Sequence, residues 1–328
     1  MKAKFLFFLF FILSVDLIQA KEDPIPGPRN CFWSIGPASS DPYINLAYPD
    51  ANVFYWAAVF TIPNDAQFSI EGSYPHSRYM SFASYDENGK PIESLADYLI
   101  NSKSVNPFIP GNKRNEKKRD YKITVVNEHP KSKRKIGQIV NINSENKLHA
   151  PSYGKGQQAI VYRIYLPDNE KQPDGGVQLP TPVLTLPNGE KYQGDSACDL
   201  LNSRQQLAVS LGALGIPPGQ YRKLITQKGK PDTWPAHNPP KWFIQLDRQS
   251  LIGMYTGKIN PDAPRSEGGF YPNLDNHYIR TIINRKHGKV LIIKGKAPVV
   301  PNTINGEEIM TTGELRYWSI CSNQSFVN

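Results

Sequence analysis

The sequence predicts a mainly β protein: an antiparallel β-sandwich or jelly-roll-like module, a short helical connector, and a second, related but truncated β module. Short runs rich in β-branched and aromatic residues alternate with turn signals through the first half of the chain. The 29 prolines and 24 glycines favour short strands over long helices. One sequence pattern also occurs twice, at a constant offset of 223 residues, and a repeat of this kind indicates a duplicated structural unit.

The first predicted module spans residues 21–167 and contains at least six strand candidates. Each is bounded by turn-forming residues and is rich in the residue types that strands favour. They are Asn30–Ile35, Asn52–Ile62, Gln67–Ile70, Arg78–Tyr85, Tyr121–Val126 and Ala159–Leu166. The segment Pro91–Asn101 fits either a short helix or an irregular strand.

The predicted connector spans residues 168–265. Within it, Val183–Tyr192 is a candidate hairpin around a Pro-Asn-Gly turn. The best helix candidate of the chain is 196–207, where Asp195 or Ser196 can cap the first turn and leucines can face inward.

The predicted second module, residues 266–328, repeats part of the first. A signature of alternating residues ends each copy: Arg78, Tyr79 and Ser81 in the first, and Arg316, Tyr317 and Ser319 in the second, where a 15-residue insertion around Val299–Thr312 delays it. After Ser81 the chain continues through more strands, whereas few residues follow Ser319. We therefore expect an incomplete sheet with an exposed edge, which a partner chain would complete, and the sequence leaves open whether the chain is a natural truncation of a longer protein.

Residues 1–20 have the pattern of a cleavable signal peptide. Lys2 and Lys4 precede an apolar run, Phe5–Val15, and Ala20 is a small residue suited to cleavage. The run is too short to cross a hydrocarbon layer of about 30 Å as a helix. We expect a secreted or periplasmic protein without a transmembrane segment after cleavage, the alternative being an uncleaved anchor.

Three cysteines, Cys31, Cys198 and Cys321, belong to the expected exported chain. Export permits disulfides, and an odd number leaves one thiol over. We favour a Cys31–Cys198 disulfide, and the alternative is that all three are free buried thiols.

The formal net charge of +9 is concentrated in one part of the sequence. Between positions 113 and 135 there are ten Lys or Arg and three Asp or Glu, on either side of one predicted strand. The candidate ligand-binding residues of this basic patch are Lys113, Arg114, Lys117, Lys118, Arg119, Lys131, Lys133, Arg134 and Lys135. Such a patch attracts anionic lipids, polyanionic glycans or nucleic acid, although the residues also fit two solvated loops.

No catalytic, metal-binding or cofactor signature is present, so we expect no metal and no cofactor. The six histidines form no metal-ligand spacing, and no nucleophile elbow or phosphate loop occurs. His76, next to the first signature, is interpreted as a structural or loop residue. The two signature arginines fit either a ligand-facing cation or a structural role.

Two strings in the sequence are similar to a known group of proteins. They are Tyr74–Phe82, followed by Tyr85-Asp86 and Ser94–Tyr98, and Arg316–Cys321. Together they resemble uncharacterised exported bacterial proteins with two β-sandwich modules, with a looser resemblance to the "domain of unknown function" family numbered 1214. The resemblance implies export and β-rich modules, and no reaction, cofactor or catalytic residue.

The sequence leaves two functional hypotheses. The first is a non-catalytic binding or structural module of the cell envelope or extracellular space, with an anionic envelope glycan or lipid as partner and nucleic acid less expected. The second is a hydrolase-like or glycan-processing enzyme with a site in the cleft between module and connector. A cleft that gathers His76 or His237 with carboxylates would favour the enzyme.

Overall fold

The computed structural model describes residues 25–45, 49–102, 104–132, 145–204, 236–244, 271–304 and 306–323. The signal-peptide segment, Lys133, Arg134, Lys135, the end of the predicted helix and most of the predicted connector lie outside these residues.

The predicted mainly β fold is confirmed. Ten strands form two five-stranded sheets, with the orders β1-β2-β8-β4-β5 and β10-β9-β3-β6-β7. The strands of the first sheet are β1 (Ile35–Ala38), β2 (Val53–Phe60), β4 (Ser77–Tyr85), β5 (Pro91–Ala96) and β8 (Gln158–Pro167). Those of the second are β3 (Gln67–Ser73), β6 (Asp120–Val126), β7 (Lys147–His149), β9 (Thr181–Thr185) and β10 (Lys191–Gln193).

The two sheets meet across an aromatic core. Phe82 of β4 and Tyr162 of β8 stack with their ring centroids 4.8 Å apart. Phe60 of the first sheet contacts Phe68 of the second at 5.2 Å. Because side chains alternate between the faces of a strand, each strand of the first sheet presents a second set of residues on its outer face.

The strand pairing shows where the sequence interpretation needs correction. All pairs in the first sheet are antiparallel, but β6 and β7 of the second sheet pair in parallel. The segment Pro91–Asn101 is a strand followed by a 3-10 turn, Asp97–Leu99. The sandwich also continues past residue 167, because β9 pairs with β3 and the candidate hairpin forms as β9 and β10.

The predicted helix forms over a shorter range. The helix α1 spans Asp195–Leu200, and its N-cap residue is Gly194 rather than Asp195 or Ser196. It buries Ala197 and Cys198. A disulfide joins Cys198 to Cys31, the pairing that the sequence favoured, and Cys321 is a free, exposed cysteine.

The second copy of the repeat does not form the β module that the sequence predicts in the residues described. Its one strand there is β12 (Ile279–Arg280), which pairs with β11 (Phe243–Ile244). The strands expected over 289–294 and 316–319 are absent, and Val290 and Ile292 are exposed. In the first copy the equivalent strand is β3, which has a hydrogen-bonded neighbour on each side. A strand-like sequence without such neighbours forms no ladder of interstrand hydrogen bonds, so its backbone N–H and C=O groups are not paired in a sheet.

The second copy instead packs against the first module. Residues 271–276 and 317–319 contact the outer face of the first sheet, and the segment 303–310 packs against 111–114. Gly111 N donates to Met310 O at 2.8 Å, and Arg114 N donates to Glu308 O at 2.7 Å. The C-terminal part of the chain is therefore part of the first module's surface.

Candidate anion-binding site

The predicted basic patch divides into exposed lysines and buried arginines. Lys113, Lys117 and Lys118 are exposed, whereas Arg114 and Arg119, in the same loop, are each 5% exposed. We call residues 113–119 the basic loop. Its lysines point to solvent because its arginines are bonded inside the protein.

Of the second half of the predicted patch the structure describes only Lys131, because Lys133, Arg134 and Lys135 lie outside the described residues. The basic loop precedes β6, and Lys131 follows the other end of that strand. Seven residues of strand extend over about 20 Å. Lys131 therefore lies beyond the opposite end of this strand from the basic loop.

Arg114 is the central anchor of the basic loop. Its Nη2 donates to both carboxylate oxygens of Asp168, each 2.5 Å away. Its Nη1 donates to the carbonyl oxygens of Thr303 at 3.4 Å and Glu307 at 3.0 Å. This side chain thereby connects the basic loop to the residue after β8 and to the C-terminal segment.

Arg119 is the second anchor, and it contacts His76. Its Nη1 donates to Arg114 O at 2.8 Å and its Nη2 to Pro75 O at 3.1 Å. Nη1 also lies 2.9 Å from Nε2 of His76. Burial, then the charges of Arg119 and Arg114, lower the pKa of His76 to about 4, so this imidazole is neutral at neutral pH and accepts the hydrogen bond.

A glycine positions His76. The amide of His76 donates to the carbonyl oxygen of Gly175 at 2.9 Å. Gly175 has φ +69°, and a Cβ there would lie 2.6 Å from Cβ of Pro75. Any larger residue would therefore clash with the backbone segment that presents His76 to Arg119.

Arg78 of the repeat signature completes the cluster. It is the second residue of β4, and its Nε donates to Oγ1 of Thr303 at 3.1 Å. Its two terminal nitrogens have no hydrogen-bond partner among the residues that the structure describes. We call Arg78, Arg114, Arg119, His76 and Asp168 the arginine cluster.

The outer face of the first sheet carries a further buried arginine, which the sequence did not single out. Arg163 of β8 is 2% exposed and lies between the rings of Tyr55 and Tyr85, 5.6 and 5.5 Å from their centroids. Its Nη2 donates to the Tyr85 hydroxyl and to the carbonyl oxygen of Tyr271. The sequence feature that could have identified Arg163 is its position as a single charged residue inside the predicted apolar strand Ala159–Leu166.

The signature residues of both copies meet on this outer face. The rings of Tyr79 and Tyr317 both pack edge-on against Tyr165, at 4.9 and 5.5 Å. Tyr317 and Ser319 donate hydrogen bonds to one carboxylate oxygen of Asp50. Ser81 is fully buried. These contacts explain the signature by packing and hydrogen bonding within one module.

Among the residues that the structure describes, Glu93 and His149 form a histidine–carboxylate pair, at a position that the sequence did not single out. Oε2 of Glu93 in β5 lies 2.9 Å from Nδ1 of His149 in β7, and also accepts from the His149 amide at 2.6 Å. The nearby Ser84 hydroxyl donates to the carbonyl oxygen of His149 at 2.5 Å, not to its ring. The pair therefore links the two sheets, and the hydroxyl is not oriented as a nucleophile.

His76 and His237 do not form the histidine–carboxylate cleft that would favour an enzyme. The ring of His76 contacts Arg119, and His237 is exposed. Within the described ranges no group of three or more His, Cys, Asp or Glu side chains is placed to hold a metal ion. None of the described helices is long and apolar enough to span a membrane.

Comparisons with known proteins identify no family for the chain. No family model matches it, and no curated protein matches it. A crystal structure of an uncharacterised protein from Burkholderia cenocepacia matches 42% of this chain and 30% of its own length, with 12% identity and a TM-score of 0.26.

Proposed function

We propose that the protein is a non-catalytic binding module of the cell envelope or extracellular space that holds an anionic glycan or lipid through the basic loop. The observation that carries this proposal is the anchoring of the loop by Arg114 and Arg119, which leaves Lys113, Lys117 and Lys118 exposed together.

The anchoring matters because binding costs less when the binding residues are already ordered. Free loops lose conformational entropy on binding, whereas a loop held by buried hydrogen bonds has already lost most of it. Arg114 and Arg119 each make several such bonds, and residues 111–114 also pair with 308–310. Lysines on a fixed loop also attract polyanions over a long range, and salt screens this attraction.

The disulfide supports a site of action outside the cytosol. Cys31 and Cys198 are bonded, and such bonds persist in oxidising compartments and are rare in the cytosol. Together with the signal-peptide pattern of residues 1–20, this favours an exported protein. Its accessible partners would then be the anionic polymers and lipids of an envelope rather than nucleic acid.

The test is retention on an acidic-polysaccharide column in a salt gradient. Lys113, Lys117 and Lys118 would be changed to Gln together, and the control would change Lys155, Lys171 and Lys191, exposed lysines elsewhere, by the same total charge. We expect the loop variant to elute at clearly lower salt than the control. Equal elution of the two variants would show that net charge, not the basic loop, drives retention and would refute the proposal.

A glycan-processing enzyme is the second candidate, and the His149–Glu93 pair is the observation in its favour. Glu93 orients the imidazole, as carboxylates do for general bases. Incubation with acidic and neutral polysaccharides, followed by chain-length analysis, tests it. Shortening by the wild type but not by His149→Asn would support the enzyme and contradict the non-catalytic assignment.

A further inference from the structure

The arginine cluster contains hydrogen-bond donors without a described acceptor, and beside it Oε2 of Glu307 is a buried acceptor without a described donor. Arg78 uses Nε on Thr303, but its two terminal nitrogens have no partner among the described residues. Nε of Arg119 is buried and also lacks an acceptor. Buried guanidinium donors are normally satisfied, so Nε of Arg119 is an unmet donor, whereas the terminal nitrogens of Arg78, a residue 7% exposed, are not fully buried and remain open to an acceptor.

The charges of the cluster are also unbalanced. Arg78, Arg114 and Arg119 supply three positive charges, and His76 is neutral at neutral pH. Asp168 and Glu307 are the carboxylates whose charges act on Arg78. One positive charge therefore remains without a counter-charge in a nearly buried site, which is unfavourable unless an anion joins it.

The pKa values of two arginines in the cluster are lowered. Burial is the main cause that lowers the pKa of Arg119 to about 10, and Arg114 adds to the effect. Burial also lowers the pKa of Arg78, with a further contribution from Arg114. Both side chains would gain from an added negative charge, because it opposes these two causes.

The site is nearly closed but keeps some contact with solvent. Arg78 is 7% exposed, and the side chain of Asp168 is 22% exposed. Lys113 pairs across an isolated bridge with Ile309, directly beside the anchors in sequence. A polymer held by the lysines of the basic loop would therefore pass close to the cluster.

We propose that the arginine cluster binds one singly charged oxyanion, a carboxylate or a phosphodiester group, through the terminal nitrogens of Arg78. One negative charge on the ligand balances the one unpaired positive charge of the cluster. The two oxygens of a carboxylate or phosphodiester group match the paired N–H donors of a planar guanidinium. This inference rests on the proposed function in that the bound polymer supplies the group, either as an acidic sugar or as a lipid headgroup. No covalent step is involved.

The experiment uses small probes that carry the group without the polymer. Glucuronate, dimethyl phosphate and the neutral control glucose would each be titrated into the full-length exported protein by calorimetry. We expect one-to-one binding of glucuronate or dimethyl phosphate and none of glucose. The anion that binds more tightly identifies the source of the group: an acidic sugar if it is glucuronate, and a phosphodiester headgroup if it is dimethyl phosphate.

Variants locate the binding. Arg78→Gln should weaken binding of the anion at least tenfold, and Arg78→Lys should weaken it less because the charge remains while the fork is lost. The control is the Lys155, Lys171 and Lys191 to Gln variant, whose exposed lysines lie outside both the basic loop and the cluster and which should bind the small anion as the wild type does. If Arg78→Gln does not fold, the stoichiometry of anion binding to the wild type and the affinity of the Arg78→Lys variant still test the proposal.

The outcomes separate this inference from the proposed function. No small-anion binding, with column retention intact, would overturn the inference and leave the proposed function standing. Binding that Arg78→Gln leaves unchanged would overturn the inference as well. Small-anion binding in a protein that no acidic polymer retains would support the cluster as a site and refute the basic loop as a polymer-binding surface.

Discussion

Arg316 and Asp97 form an ion pair, with 3.4 Å between Nη1 of the arginine and Oδ1 of the carboxylate. Asp97 is fully buried, and its Oδ2 accepts from the amide of Met80 at 2.8 Å. Arg316 also donates to the carbonyl oxygens of Arg78 at 3.2 Å and Phe108 at 3.1 Å. The signature arginine of the second copy thus stabilises a buried charge of the first.

The buried carboxyl of Asp97 makes stability depend on pH. Burial raises its pKa to about 6, and Arg316 opposes part of the rise. An unfolded aspartate has a pKa of about 3.9, so the stabilising contribution of the protonated form is complete below pH 4 and is lost as pH rises through 6. This difference of about two between the folded and unfolded pKa of Asp97 corresponds to about 3 kcal/mol of free energy of unfolding. Relative to Asp97→Asn, the wild type should lose about that much free energy of unfolding between pH 4 and pH 7.

Urea unfolding at several pH values measures this difference. Arg316→Gln serves as the matched variant, because without the cation the pKa of Asp97 should rise further and the loss should extend to higher pH. Parallel stability curves for wild type and Asp97→Asn would show that Asp97 does not titrate in this range.

His76 should produce the opposite dependence. Its pKa is lowered to about 4 by burial, Arg119 and Arg114, whereas an unfolded histidine has a pKa of about 6.5. The stability it contributes is complete above pH 6.5 and is lost as pH falls through 4. His76→Gln should therefore unfold with less acid sensitivity than the wild type between pH 6.5 and pH 4. The two effects overlap in pH, so each single variant is compared with the wild type by urea titration, and an unchanged acid sensitivity in His76→Gln would contradict the lowered pKa.

Removal of the disulfide should destabilise the protein strongly. Cys31 and Cys198 are 167 residues apart in sequence, and a cross-link over a long loop removes much of the entropy of the unfolded chain. Changing both to Ser should lower the free energy of unfolding by about 2–5 kcal/mol, measured by urea unfolding. Cys321→Ser is the control, since that exposed cysteine is unbonded and its loss should change stability little. A double variant as stable as the control would refute the prediction.

Tyr85→Phe should loosen residues 271–276. The Tyr85 hydroxyl accepts from Arg163 and donates to the carbonyl oxygen of Pro272 at 2.9 Å. Its loss removes the donor to the Pro272 carbonyl and one of the two acceptors of Nη2 of Arg163, which costs about 1–3 kcal/mol. We expect lower stability and faster hydrogen exchange at 271–276.

The matched control is Tyr192→Phe. That hydroxyl donates to Oε2 of Glu190 at 2.8 Å on the surface, where water replaces it. Its removal should change stability by less than about 0.5 kcal/mol. Equal losses in the two variants would mean that the bonds of Tyr85 to Arg163 and Pro272 contribute no more than a surface contact.

The long strands of the sandwich were predictable because each is a run rich in β-branched and aromatic residues bounded by turn signals. The candidates Asn52–Ile62 and Ala159–Leu166 correspond to β2 and β8 within a few residues. The strand β7 has three residues, too few to show any period, so the sequence does not predict it. Its parallel pairing with β6 depends on the path of the intervening chain, which local pattern does not contain.

The candidate site was less predictable than the fold. The basic loop was visible as a run of charge, but nothing in the run separates Arg114 and Arg119, which turn inward, from the lysines that do not. Their direction depends on Asp168 and Pro75, acceptors that are distant in sequence. The signature arginines suggested two modules because a repeat conserves strand composition. Strand formation also requires a neighbouring strand, which the described second copy lacks for residues 289–294 and 316–319.

The Cys31–Cys198 bond closes the chain into a ring that contains all ten strands of the sandwich, since β1 begins after Cys31 and β10 ends before Cys198. A single backbone cut anywhere inside this ring, for example at the exposed turn around Gly154, opens the circle without releasing a piece. A nicked molecule would keep its mass until a reductant reached the bond. Outside the cell, where proteases are common and reductants scarce, such a protein could remain whole after being cut.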